Sequence, residues 1–187
     1  MKKMRKGQSL VEVLIALSIL TVGFLGMETL LAKSFFLNRV NTDETTGTYL
    51  ASEGIEIAKN MLDHDTDAGL VWGTCGGSCT ANVPTYYTAD YTAQTFSAPS
   101  LNKCGGAPPL NFSTSTGVGL YSYSAGGKPS GFSRCIEITH TFASDGVTVA
   151  EVTVDSRVTW STGPLTSQSI DLEDHFYNWH PPVGSGG

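Results

Sequence analysis

Two hydrophobic patterns divide the chain. Residues 10–27 read LVEVLIALSILTVGFLGM, apolar on every side and interrupted by one charge, Glu12. A helix that is apolar all round belongs in lipid or among other helices, and about 20 such residues span a bilayer. Gly23 and Gly26 suit that setting, because they let neighbouring helices approach closely. Beyond Met27 the apolar surface narrows to a stripe. Leu30, Leu31, Phe35 and Leu37 continue it, while Lys33, Asn38 and Arg39 take the other side. Leu50, Gly54, Ile57, Ala58 and Met61 then recur at helical spacing, with Asp43, Glu44, Glu53 and Glu56 on the wet side. No proline interrupts residues 28–62. The pattern predicts one long helix from about Ser9 to Leu62, apolar enough to span a membrane at about 10–31. Thr45-Thr46-Gly47 is its weakest point by propensity, and Gly47 is the place where a bend would fall. At 1.5 Å per residue it would be about 80 Å long.

Residues 63–134 are rich in Gly, Ser, Thr, Pro and Tyr and show little periodicity. Loops are expected there, with short strands around Tyr86–Phe96 and Val118–Tyr123. From Cys135 the period changes to two. Ile136, Ile138 and Phe142 alternate with Glu137, Thr139 and Thr141; Val152, Val154, Val158 and Trp160 alternate with Thr153, Asp155, Arg157 and Thr159. Asp145-Gly146 marks a turn between them. Val147 and Val149 are out of phase with Val152, which predicts a bulge near Ala150. Gly163-Pro164 makes the next turn, and Gln168, Ile170 and Leu172 form a third alternating run. Three strands with short turns make an antiparallel meander over about 135–176, with one apolar face. The amphipathic half of the helix is its natural cover, and Phe176, Tyr177 and Trp179 are expected to close one end. The fold class is therefore α+β.

Charge sharpens the picture. The formal net charge of −6 removes a whole-protein electrostatic footprint for nucleic acid. Four of the basic residues, Lys2, Lys3, Arg5 and Lys6, directly precede the apolar run. Positive residues on that side keep the N-terminus cytoplasmic and send the body across the membrane. A secretory signal cut near Ala32-Lys33-Ser34 would need a shorter apolar run. Neither that reading nor a plain anchor has a use for Glu12, whose burial in lipid costs about 2.5–3.5 kcal/mol if central.

Lys6-Gly7-Gln8-Ser9-Leu10-Val11-Glu12, after a short basic leader and before an apolar helix, resembles the class III signal of type IV pilins. The resemblance implies a leader over 1–7, cleavage after Gly7 by prepilin peptidase and N-methylation of the new first residue, Gln8. Gln8 stands where the family prefers phenylalanine. Glu12 becomes the glutamate five residues into the mature chain, implied in assembly. Physically, cleavage leaves a positive amine at Gln8 four residues before Glu12. Pairing that amine with a carboxylate, in the same chain or a neighbour, neutralises two charges that are costly alone in an apolar bundle. The layout, a long N-terminal helix on an antiparallel sheet, also resembles the pilin fold. It divides the chain into a leader at 1–7, a helix at 8–62 and a globular region at 63–187.

Four cysteines, Cys75, Cys79, Cys104 and Cys135, lie in the body and allow three pairings. An exported body favours two disulfides, and Cys75–Cys79 with Cys104–Cys135 is the preferred set because Gly76-Gly77 lets the short loop close. The spacings to Cys104 and Cys135 do not repeat a zinc knuckle. Asp63, Asp65 and Asp67 alternate like the start of a calcium loop. The turn glycine comes one place late, however, and the twelfth residue is Thr74, so a solvated helix end is preferred. His64, His140, His175 and His180 do not cluster with a nucleophile, and no phosphate or dinucleotide motif is present. No enzymatic activity and no cofactor are expected. His140 falls on an apolar strand face, as a core histidine would.

The expected role is a structural filament subunit, a minor pilin by its Gln-Ser-Leu-Val-Glu start and its Asn178-Trp179 end. Its expected partners are prepilin peptidase, other pilins and the assembly machinery. It would sit as a single pass in the inner membrane and then move to an extracellular pilus at the cell surface. The alternatives are a type II secretion or competence pseudopilin, and a single-span membrane-anchored surface binding protein.

Overall fold

The computed structural model describes residues 6–67, 72–73, 80–92, 102–114, 118–124, 126–162 and 166–179, of which 6–9 and 65–67 are described by backbone alone. Two compact units divide the chain, one up to Asp43 and the other from Glu44 onward. A single helix, α1 (Lys6–Asp67), forms the described part of the first unit and opens the second. The second unit adds β1 (Thr85–Tyr87), a short 3-10 turn (Cys104–Gly106), β2 (Pro109–Ser113), β3 (Leu120–Ser122), β4 (Lys128–Phe142), β5 (Val149–Ser161) and β6 (Ser167–Tyr177). The layout is α+β and pilin-like: a long N-terminal helix followed by an antiparallel sheet.

The sheet runs β3-β2-β4-β5-β6, and β1 pairs with β4 beside Ile136–Ile138. Its centre is the β4–β5–β6 meander. β5 and β6 stay in register from Glu151↔Tyr177 to Ser161↔Ser167. Between β4 and β5 the register shifts where Thr141 faces Glu151 and Phe142 faces Val149, which leaves Ala150 as the extra residue of a bulge. The shift turns Val149 into the core, while Val147 stays exposed.

One face of the meander is apolar and packs on the part of α1 within the second unit. Leu50, Ala51, Ile57, Ala58, Met61 and Leu62 are buried, at the three- and four-residue spacing of one helix face. Two clusters result. Ile57, Ala58, Met61 and Leu62 meet Tyr87, Ile136, Ile138, Val152 and Val154. Leu50 and Ala51 meet Leu110, Phe132, Val158 and Trp160.

Glycines set how closely the helix sits. A Cβ on Gly47 would lie 2.8 Å from the Trp160 ring, and one on Gly54 would collide with Ser156 Oγ. A helical glycine costs about 1 kcal/mol relative to alanine. Gly47, expected to weaken α1, instead lies buried in a continuous helix against Trp160.

Several expectations are corrected. β4 begins at Lys128, seven residues before the alternation becomes visible, because β2 pairs with that extension. β2 was not anticipated at all. The strand expected over Tyr86–Phe96 is confined to Thr85–Tyr87 among the described residues, and 93–96 lie outside them. At the C-terminal end Phe176 packs on the core, but Tyr177 and Trp179 are exposed. The Gly163-Pro164 turn lies outside the described residues.

Candidate functional site

The N-terminal motif residues all stand on α1. Gly7 and Gln8 lie in its opening turns, and Glu12 follows Gln8 by four residues, the spacing that puts two positions on one helix face. From Leu10 to Leu37 the large apolar side chains are exposed; Leu20, Val22 and Leu30 are 65%, 72% and 72% accessible. α1 is long and apolar enough to cross a membrane by length and composition, and none of its most apolar stretch is buried within the chain. Ser18, Thr21 and Thr29 return their hydroxyls to carbonyls three residues back, so their polar groups are satisfied within the helix. This surface can pack against lipid or other apolar helices.

In the second unit the polar centre is Arg134, fully buried on the helix-facing side of β4. Its Nη1 donates to Leu50 O at 3.0 Å and to Glu53 Oε2 at 2.8 Å, and its Nη2 donates to Ala89 O at 2.7 Å. One guanidinium thus ties helix, sheet and the loop after β1 together, at the seam between the two apolar clusters. The Tyr123 hydroxyl donates to Arg134 O at 2.7 Å, and burial pushes that hydroxyl up to about 12. Asp90 accepts from the Thr92 side chain and from the amides of Thr92 and Tyr123. These bonds, with the Arg134 charge, outweigh its burial and hold its carboxyl below the usual range. Sequence reasoning missed Arg134. Its signal was parity: it shares a strand face with Phe132, Ile136 and Ile138.

His140 is buried on the same face. Burial holds its pKa below the ordinary 6.5, partly offset by a hydrogen bond with the Gly73 backbone, so it is a neutral core residue.

Cys104 and Cys135 form a disulfide with Cα atoms 5.3 Å apart. It ties the 3-10 turn to β4. Cys75 and Cys79 lie outside the described residues, as does His180. Asp63, Asp65 and Asp67 stand on α1, which continues through Asp67, instead of on the loop that a calcium ligand set requires. Among the described residues no group of three or more His, Cys, Asp or Glu side chains could hold a metal ion.

Residues 2–27 match the family model described as the prokaryotic N-terminal methylation motif. The match covers the basic leader, Gly7, Gln8, Glu12 and the apolar run to Met27. No curated protein and no solved structure matches the chain. The motif supports a type IV pilin-type or pseudopilin subunit. It implies processing by prepilin peptidase and assembly with other pilins, and the apolar helix behind it suits membrane anchoring before assembly. Proteins of this motif are structural rather than catalytic.

Proposed function

We propose that the chain is a minor pilin, of the kind called pilus modification protein PilV, and not an enzyme. Prepilin peptidase removes residues 1–7 and methylates Gln8. The apolar part of the helix, about 10–31, then holds the chain as a single pass in the inner membrane, with the N-terminus cytoplasmic and the body at 63–187 exported. Extraction into a filament moves the apolar helix from lipid into a bundle of like helices. The observation that carries this reading is the coincidence of two features: the methylation motif at 2–27 lies on a helix whose large apolar side chains from Leu10 to Leu37 are exposed. Glu12 has a task in a filament, where its carboxylate meets a mature N-terminal amine; in a plain anchor it has none.

Mass-spectrometric sequencing of the mature N-terminus tests the processing step, with methyl-Gln8 expected. A terminus at Met1 or beyond Ala32 defeats the reading. Fractionation of a Glu12→Val variant tests assembly. Insertion and cleavage should be normal while the sheared-filament pool is largely lost, because breaking a buried charge pair costs about 3–5 kcal/mol. Equal filament pools would show that Glu12 has no assembly role.

A further inference from the structure

The outer strand of the sheet has features of a strand-addition site. β6 ends the strand order, pairs with β5 along its whole length without a bulge, and has no further neighbour among the described residues. The amide of Asn178 donates to Ala150 O, and Thr166 O accepts from Thr162 N. Even-numbered backbone groups therefore turn toward β5, and the odd-numbered ones, including Ser169, Asp171, Glu173 and His175, turn outward. One outward amide is already satisfied: His175 N donates to Asp174 Oδ1 at 2.8 Å. Among the described residues, those of Ser169, Asp171 and Glu173 have no such cap.

The side chains along this edge alternate in character. On the helix-facing side Ile170, Leu172 and Phe176 are half-buried against the core, with Asp174 exposed between Leu172 and Phe176. On the open side Asp171 and Glu173 are exposed, and Glu173 lies in one row with Asp155 and Glu137 across the sheet. Arg157 pairs with Asp171, and His175 lies between Glu151 and Glu173 at 2.6 and 3.1 Å. Even with these cations the open side keeps an excess of carboxylates.

We propose that β6 accepts an extended segment of a partner protein, one that alternates basic with apolar residues. Main-chain bonds to the outward groups of β6 supply the pairing, and alternate side chains supply the choice of partner. Lysine or arginine on the open side meets Asp171 and Glu173, and apolar residues on the other side extend the row of Ile170 and Leu172. A second copy of β6 is the wrong partner, since antiparallel self-pairing centred on Leu172 sets Asp171 opposite Glu173, and like charges directly opposite are destabilising.

The test uses the full chain in phospholipid nanodiscs, with residue-resolved hydrogen exchange of β6. The probe is a short acetylated peptide alternating lysine and valine, and the control alternates glutamate and valine. Exchange at Ser169, Asp171 and Glu173 should slow at least about tenfold with the lysine peptide, less at high salt, and not with the control. The Asp171→Lys/Glu173→Lys variant should reverse the preference. Unchanged exchange at Ile170 and Leu172, whose amides face β5, shows that this variant keeps its fold. The proposal is overturned by protection from both peptides alike, by no protection from either, or by protection that rises with protein concentration without peptide, which would mean self-pairing.

Discussion

Two stretches of one helix, residues 10–37 and 47–62, both carry apolar side chains and meet opposite fates. In the first, Leu, Ile, Val and Phe cover every side and lie exposed. In the second, a single stripe is apolar and is buried to the last few per cent. Side-chain size separates them as much as pattern. The buried stripe alternates bulk with Gly47, Ala51, Gly54 and Ala58, and at Gly47 and Gly54 the sheet's Trp160 and Ser156 come close. The exposed stretch carries large apolar residues on every side with small ones (Ala16, Ser18, Gly23, Gly26, Ala32, Ser34) scattered among them, and Gly23 and Gly26 meet nothing within 4 Å. An apolar helix surface therefore has to be read with its period and its small residues. A stripe with gaps fits the chain's own sheet; a full cylinder fits lipid or other helices.

The sharpest way to break this comparison is one substitution made in both places. Ala58→Asp puts an unpaired charge at a fully buried position against the sheet and should destabilise the second unit by about 3–5 kcal/mol, enough to unfold much of it. Val22→Asp should leave the melting of that unit unchanged and impair membrane insertion instead, by about 2.5–3.5 kcal/mol if the site is central. Thermal melts beside membrane fractionation read both. Equal loss of melting temperature in the two variants would refute the division.

The disulfide comes next. Cys104 and Cys135 close a loop with a sequence separation of 31 on the face of β4 away from the helix. Cutting such a loop costs about 3–4 kcal/mol by chain entropy. A Cys104→Ser/Cys135→Ser variant should melt lower by that margin, and chelators should not alter the melt of the parent. A chelator-induced drop would point back to metal ligation.

The helix–sheet spacing gives a smaller and more local effect. Gly54→Ala gains helix propensity of about 1 kcal/mol but drives its Cβ into Ser156 Oγ, with Arg134 Cδ 3.1 Å away. Overpacking of this kind costs about 1–3 kcal/mol, so a net loss is expected. Ser156→Ala removes the obstructing oxygen. The double variant should recover most of the loss, which a double-mutant cycle by denaturant unfolding measures. Additive effects would mean that the two residues are not in contact.

These sites also show what could be read from residues alone. The helix, the meander and the bulge at Ala150 were legible because each rests on a local period or a break in one. β2 was not. Pro109 opens it, Leu110 is its one buried residue, and its partners on β4 are distant in sequence. Propensity misjudged Gly47, because the tertiary approach of Trp160 outweighs the helix cost there. Arg134 was missed for a related reason. A charge on a strand is ordinarily solvated, and nothing in its neighbours announces that Leu50, Glu53 and Ala89 converge on it. The motif at Gly7, Gln8 and Glu12 was legible as a resemblance, and the family-model match over residues 2–27 spans the same positions.

The smallest expected effect concerns two histidines with opposite surroundings. Burial lowers the pKa of His140, so the unfolded chain takes up a proton near 6.5 that the folded chain refuses. Its stabilising contribution is therefore present above 6.5 and is lost as pH falls from 6.5 toward the lowered value. Glu151, then Glu173, raise the pKa of His175 despite some desolvation. Its contribution is full below 6.5 and is lost as pH rises through the raised value. Together they make a shallow stability maximum near 6.5, on top of the carboxylate titrations at lower pH. His175 is exposed, so its arm is screened and should fade at high salt, whereas the His140 arm should not. His175→Gln should flatten the curve above 6.5 and leave the decline below it. Melting temperatures across pH 5–9 at two salt concentrations provide the check. If His175→Gln instead abolished the decline on the acid side, the assignment of the two arms would be reversed, and the protonated His175 could not be what holds Glu151 and Glu173 together.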